Sequence, residues 1–314
     1  MPEAETINRS DIDFLGLSHL VLEVADADES AAFYQDVMGL EAGPIDPWPL
    51  CGTSRNLAAR DNRHLILASR ADAPDLRDTG VHHAYAVNQA QRDKISTKLD
   101  GLGVEIFSYG EDPPDETNDG FYFFDPSGNR VQLVTEPGQD GQTLPALHHT
   151  AIQVADILWA EQFYTEVLGL DPVHRVGWNT ADYARAKAWA EGKEDMAPGA
   201  RRLDERYTVM VDKQKVPRVN MQVYLACGHH VLGIYLADRH MQEPPEEQNA
   251  GTPRTGFRVS AMGLEAAAGR LTDAGWPFEG PVSHDPGLPI SASIYLRDPG
   301  GNFIELSVTE GTAS

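Results

Sequence analysis

Four stretches of the chain alternate polar and apolar residues with a period of two: "LSHLVLEVAD" from Leu17, "GVHHAYAVNQ" from Gly80, "LHHTAIQVAD" from Leu147 and "TPRTGFRVSA" from Thr252. Side chains alternate across a strand, so each stretch predicts a strand with one face packed under a helix and the other open. In "HTAIQV", Ile152 and Val154 form the packed set, while His149, Ala151 and Gln153 point the other way. The same rule opens His19, Val21 and Glu23 in the first stretch and His82, Ala84 and Ala86 in the second. In the fourth it opens Arg254, Gly256 and Arg258, with Phe257 and Val259 beneath the helix. After the first and third strands, "DADESAAFYQDVMGLEA" and "DILWAEQFYTEVLGLDP" carry apolar residues at helical spacing and stop at a Gly-Leu, as a C-terminal capping glycine allows.

The quarters repeat in register. His19 to Tyr34 and His149 to Tyr164 are both 15 residues, and His19 to Gly39 and His149 to Gly169 are both 20. His82 to Gly103 and Arg254 to Gly275 are both 21. The second and fourth quarters close on "FYFFDPSGNRVQLV" and "SIYLRDPGGNFIELSV", where the Asp-Pro and Gly-Asn pairs predict a turn between strands. In the last strand Ile304, Leu306 and Val308 are the packed set; Glu305 faces the open side, and Gln132 is its counterpart. Periods of this kind mark a repeat architecture, here four strand–helix–strand modules of an α+β protein. They divide the chain into an arm over 1–13, a first domain over 14–136 with two modules, a linker over 137–145, a second domain over 146–310 with two more, and a tail over 311–314. The third quarter holds an insertion over roughly 178–216 whose run "TADYARAKAWAEGKED" is helix-prone and would cap a cleft.

A formal charge of −23 excludes nucleic-acid backbones and anionic membranes as partners, since both require basic surfaces. Two cysteines, Cys51 and Cys227, are too few for a disulfide framework and fit a reducing cytosol. "MPEAETINRSDIDF" has no basic stretch followed by an apolar run, so it does not read as a signal peptide. No segment reaches the ~18 apolar residues of a membrane span. The expected location is the cytoplasm. Nucleophile chemistry has little support, because no G-x-S-x-G pattern occurs.

With these strands and turns in place, the chain resembles the vicinal oxygen chelate superfamily of glyoxalases, fosfomycin-resistance proteins and type I extradiol ring-cleavage dioxygenases. The resemblance covers residues 14–309 and implies four βαβββ modules forming two glyoxalase-like half-open barrels. The four-module layout is most similar to the extradiol dioxygenases, in which the second domain holds Fe(II), or sometimes Mn(II), through two histidines and a glutamate. It therefore implies an oxidoreductase acting on a small catechol-type aromatic and O₂, assembled as a homo-oligomer. Carried over by position, His149 and Glu305 match metal ligands, His230 and His284 match active-site histidines, and Tyr295 matches a tyrosine that hydrogen-bonds substrate. Tyr235 lies near the place of a further ligand and would line the substrate cleft.

Arg254 departs from that pattern, because it stands where the second histidine ligand belongs. A guanidinium has no lone pair to offer and stays protonated. Three readings follow. The third ligand comes from His230, Tyr235 or water; or an Arg254–Glu305 ion pair replaces the metal, leaving no cofactor and a pocket that binds a small molecule; or the metal sits in the first domain on His19, His82 and Gln132, an amide oxygen being a ligand that glyoxalase-like members accept. A glyoxalase-like isomerase or lyase is the alternative chemistry. Modules pairing across the halves, first with fourth, would bring His19 beside Glu305.

Overall fold

The computed structural model describes residues 12–77, 79–108, 120–136, 143–176, 208–211, 214–217, 222–237 and 248–309. The helix expected within 178–216 lies outside these residues, apart from a short hairpin at its end.

Module one comprises β1 (Phe14–Val24), α1 (Ala27–Phe33), β2 (Glu41–Ala42), β3 (Ser54–Ala59) and β4 (Arg63–Ser69). Module two comprises β5 (His82–Val87), α2 (Gln89–Gly101), β6 (Phe121–Phe124) and β7 (Arg130–Thr135). In module three, β8 (Ala146–Val154) and α3 (Ile157–Gln162) are followed by β9 (Asp171–Val176), the hairpin β10 (Thr208–Val211) and β11 (Gln214–Pro217), then β12 (Gln222–Cys227) and β13 (His230–Leu236). Module four is β14 (Arg254–Val259), α4 (Ala261–Asp273), β15 (Phe278–Ser283), β16 (Ile290–Arg297) and β17 (Phe303–Thr309).

Local chemistry sets the helix ends. Asp26 caps α1 by accepting from the backbone N–H groups of Asp28 and Glu29, and Asn88 with Gln91 forms a reciprocal capping box on α2. α1 and α3 each run into one wide π turn, Tyr34–Met38 and Phe163–Val167. The first ends at Gly39 with φ +74°, a left-handed conformation that glycine adopts without a Cβ penalty.

The sheets do not follow the halves of the chain. One sheet runs β15-β16-β17-β14-β1-β4-β3-β2 and joins module one to module four; the other runs β6-β7-β5-β8-β13-β12-β9 and joins module two to module three. The seams are antiparallel and two-fold in character. β1 meets β14 with His19 opposite Gly256 and Val21 opposite Arg254, and β5 meets β8 with His82 opposite Ala151 and Ala84 opposite His149. Consecutive modules contact each other through their helices and turns instead. Tyr34 of module one donates to Asp125 Oδ2 of module two at 3.1 Å, and Tyr164 of module three donates to Asp298 Oδ2 of module four at 3.0 Å.

The apolar faces read from the sequence are the ones that pack. Val24, Leu133, Ile152, Val154, Phe257, Ile304 and Leu306 join one core. Burial of each large side chain contributes about 1.5–3 kcal/mol. The opposite faces of the two sheets curve into two cups.

Candidate functional site

Register fixes which side chains share each cup. In the parallel pair β14–β17, Gly256 lies beside Glu305; in β5–β7, Ala84 lies beside Gln132; in β1–β4, Val21 lies beside Ile66; in β8–β13, Ala151 lies beside Gly233. The homologous positions are thus His19, Ile66, Arg254 and Glu305 in the first cup, and His82, Gln132, His149 and Gly233 in the second. His149 and Glu305, expected together, stand in different sheets. His19 joins Glu305 rather than His82 and Gln132.

The first cup is sealed around a charge cluster. His19 is 0% exposed, Glu305 0% and Arg254 2%. Glu305 Oε2 meets His19 Nε2 at 3.0 Å and Arg254 Nε at 2.8 Å, and Glu305 Oε1 accepts from Ser293 at 2.6 Å. The Arg254 Nε–H is not aligned with the carboxylate, so this contact is an ion pair rather than a linear hydrogen bond. The rest of the guanidinium donates to the carbonyl oxygens of Gly251 and Pro49, and its Cζ lies 5.2 Å from the Tyr295 ring centroid. Burial by itself would raise the Glu305 pKa, but Arg254 and His19 outweigh it and hold the carboxyl at about 2. Trp48, 1% exposed, covers His19 with ring centroids 5.0 Å apart, and Cys51, Ile66 and Ile290 fill the remaining space. Both carboxylate oxygens are engaged, and a fixed cation stands where a metal would bind. His284 sits at this cup's edge, with Nε2 2.9 Å from Ser293 Oγ and 3.4 Å from the Tyr295 hydroxyl. The tyrosine read as a substrate contact and the histidine read as an active-site residue therefore both stand against the ion-paired cup.

The second cup has different chemistry. His82 Nε2 faces His149 Nε2 at 3.1 Å. Burial pushes His82 down to about 4 and His149 well below its usual range, so both rings are neutral near pH 7. His82 Nδ1 lies 2.9 Å from the Gly80 carbonyl oxygen, which only an N–H can satisfy, leaving His82 Nε2 with a lone pair. Gln132, 4% exposed, presents an Oε1 with no hydrogen-bond partner among the described residues. A buried amide oxygen without a donor is costly, and Gln132 shares its strand face, through Ala84, with His149. Octahedral ligands about 2.1 Å from a metal stand about 3.0 Å apart, close to the observed separation; a hydrogen bond between the two rings is satisfied by the same distance. Among the described residues no cluster of three or more His, Cys, Asp and Glu side chains forms a metal site; the donor set here is two imidazoles and one amide oxygen. Aromatic rings wall the cup. Tyr122 and Tyr235 stand edge-on to His82, and the Tyr235 hydroxyl is 2.8 Å from that of Tyr224.

His230 does not face this cup. Its Nε2 donates to the Leu147 carbonyl oxygen at 2.9 Å, and its ring packs where a side chain on Gly16 would be. His230 is thus a packing residue between the sheets, while His229 beside it is exposed. Sequence reasoning missed Trp48, Ser293, Tyr122 and His148. Only His148 left a signal, as the first half of one of the chain's three "HH" pairs.

The family model for the Glyoxalase/Bleomycin resistance protein/Dioxygenase superfamily matches residues 16–133 and 146–306. The chain belongs to this superfamily. A superfamily relative, 2,2',3-trihydroxybiphenyl dioxygenase of Sphingomonas paucimobilis, is 28% identical over 152 residues, which cover 47% of this chain and 49% of the relative. The match spans about half the length of that dioxygenase. The metallothiol transferase FosB of Lysinibacillus sphaericus is 28% identical over 126 residues, 40% of this chain and 84% of FosB. In structure, a proposed dioxygenase from Bacillus subtilis superposes with TM-score 0.61 at 12% identity, covering 95% of this chain and 86% of its own. Glyoxalase I from Zea mays gives 0.55 at 16% identity, covering 93% and 92%. These superpositions carry the fold alone.

Proposed function

We propose that the chain is a metal-dependent superfamily enzyme whose working site is the second cup, with His82, His149 and Gln132 as the ligands. The reaction we assign is ring cleavage of a small catechol-type aromatic by O₂. The observation that carries the reading is the approach of two neutral imidazole Nε2 atoms to 3.1 Å on a strand face that they share with a buried amide oxygen having no hydrogen-bond partner among the described residues. The first cup supplies the contrast: its homologous positions are filled by a guanidinium, an isoleucine and a saturated carboxylate.

A divalent ion on this set, Fe(II) first and Mn(II) second, would supply adjacent open positions for two vicinal substrate oxygens and for O₂. The protein's own part is binding and orientation. Tyr122 and Tyr235 offer ring edges and faces to a planar substrate. With no carboxylate among the ligands, the ion would keep its full dipositive charge and favour a doubly deprotonated diol. The dioxygenase relative supports an aromatic substrate, and the metallothiol transferase supports a metal at such a site. A glyoxalase-like isomerase or lyase is the second reading, favoured by the amide donor in the place of a carboxylate. Cytoplasmic placement is part of the same proposal. Among the described residues no helix is long and apolar enough to cross a membrane.

The test is oxygen uptake by anaerobically purified, Fe(II)-loaded protein given 3-substituted catechols. Uptake with a yellow ring-opened product, abolished by His82→Ala and kept by Tyr295→Phe, supports the proposal. Metal that persists in His82→Ala overturns the assignment of the cup. Bound metal with no uptake, together with turnover of a hemithioacetal, transfers the chain to the isomerase reading.

A further inference from the structure

The alternation that sets the cup faces breaks at one residue in each cup. On β1 the pairing register to β14 slips between Leu17 and His19, so Ser18 is the extra residue of a bulge. On β8 the register to β5 slips at the homologous point, and His148 is the extra residue. Bulges re-aim side chains, and they are enriched beside active sites. Both bulged residues turn onto the ring that follows them. Ser18 Oγ lies 2.9 Å from His19 Nδ1, and His148 Nδ1 lies 2.7 Å from His149 Nδ1. The device is therefore built into the module, and what differs is the group it carries. In the sealed cup it is a hydroxyl, held in turn by Ser307 at 3.0 Å. In the second cup it is an imidazole whose far nitrogen, Nε2, lies 3.4 Å from Glu136 Oε1, with both side chains about one-third exposed.

We infer that His148, backed by Glu136, is a positioning residue that selects the metal-binding tautomer of His149. This rests on the assignment of His82, His149 and Gln132 as ligands. Hydrogen counting along the chain of contacts shows how it acts. Gly80 fixes the His82 hydrogen on Nδ1. When the second cup closes on itself, His149 Nε2–H donates to His82 Nε2, and His149 Nδ1 accepts from His148 Nδ1–H. His148 Nε2 then turns a lone pair towards the Glu136 carboxylate, an unfavourable pairing. In the other arrangement the His149 hydrogen sits on Nδ1 and donates to His148 Nδ1, while His148 Nε2 carries its hydrogen on the side of Glu136, 3.4 Å away in an electrostatic contact that is not an aligned hydrogen bond. Each ring carries one hydrogen in both arrangements, so protons are conserved. Only the second leaves both Nε2 atoms bare and turns a hydrogen, rather than a lone pair, towards the Glu136 charge. Glu136 thus biases the relay towards the metal-ready form. A histidine ligand whose other nitrogen is held by a carboxylate or carbonyl is the usual support for a metal site; here one histidine is held directly by a carbonyl and the other through an intervening imidazole.

The test is the dissociation constant for Co(II), read from its visible spectrum in the full chain, beside the melting temperature of each metal-free variant. His148→Ala should weaken Co(II) binding by about 10–100-fold. His148→Asn places an amide near the lost Nδ1 and should return affinity to within a few-fold of wild type. Ser18→Ala, the same change in the sealed cup, should leave affinity unaltered. Wild-type binding that is lost in His82→Ala but unchanged in His148→Ala overturns this inference alone. Equal weakening in His148→Ala and His148→Asn, with equal falls in melting temperature, also overturns it by making His148 merely structural. No Co(II) binding by wild type, or binding indifferent to His82→Ala, removes both this inference and the metal assignment beneath it.

Discussion

Arg254 Nε stands 2.8 Å from Glu305 Oε2, and both side chains are fully buried. A guanidinium thus fills the place in the first cup where His82 stands in the second, and it brings its own positive charge. Breaking a buried ion pair from one side leaves the other charge uncompensated, at a cost of about 3–5 kcal/mol. Arg254→Ala should lose that much in urea unfolding. Arg254→Met with Glu305→Gln should lose clearly less, because no charge is stranded and the amide keeps its contacts with His19 and Ser293.

Glu305 also gives the protein a specific acid sensitivity. Its carboxyl is held at about 2, from an ordinary value near 4.5, because Arg254 and His19 outweigh the effect of burial. A depressed carboxylate contributes stability that is fully present above the unfolded pKa and is lost as pH falls through the folded one. The contribution, on the order of 3 kcal/mol, should vanish between about pH 4.5 and pH 2. Unfolding measured at pH 7 and pH 3 should differ less in Glu305→Gln than in wild type. An identical pH dependence would remove Glu305 as the cause.

Gln132 occupies the position of Glu305 in the second cup, with its oxygen free. Gln132→Glu changes a neutral donor to an anionic one at nearly constant shape. Co(II) or Mn(II) affinity should rise by about tenfold or more, since hard divalent ions prefer carboxylate oxygens. The metal-free variant should be less stable than wild type, because it buries an unpaired carboxylate. Metal titration by calorimetry, with denaturation of the metal-free form, checks both halves.

Tyr34 and Tyr164 each tie a helix to the turn of the next module through a buried aspartate. Tyr164→Phe leaves Asp298 Oδ2 without its hydroxyl donor and should cost about 1–3 kcal/mol. Tyr34→Phe should cost a similar amount. The two act at separate places, so the double variant should show nearly the sum. Thermal unfolding of the three variants against wild type measures this directly.

The modules, their packed faces and the open-face residues follow from short-range rules. Period-two alternation named Ile152, Val154, Phe257, Ile304 and Leu306 as packed positions, and the repeat spacings put Arg254 in line with the cup histidines. These features depend on residues within one strand or one helical turn, and a sequence displays such relations. Which modules share a sheet depends on contacts between residues far apart in the chain. His19 meets Glu305 across 286 positions, and His82 meets His149 across 67. Spacing is blind to that choice, because each module offers the same edge strand to every other. The bulge that turns His148 onto His149 was hidden for a related reason: it breaks the alternation on which the sequence reading rests. The sequence by itself determined four like modules with polar groups on their open faces. Only the tertiary pairing decided that one set of those groups neutralises itself around Arg254 and Glu305, while the other sets two imidazoles ring to ring on a strand face that Gln132 shares.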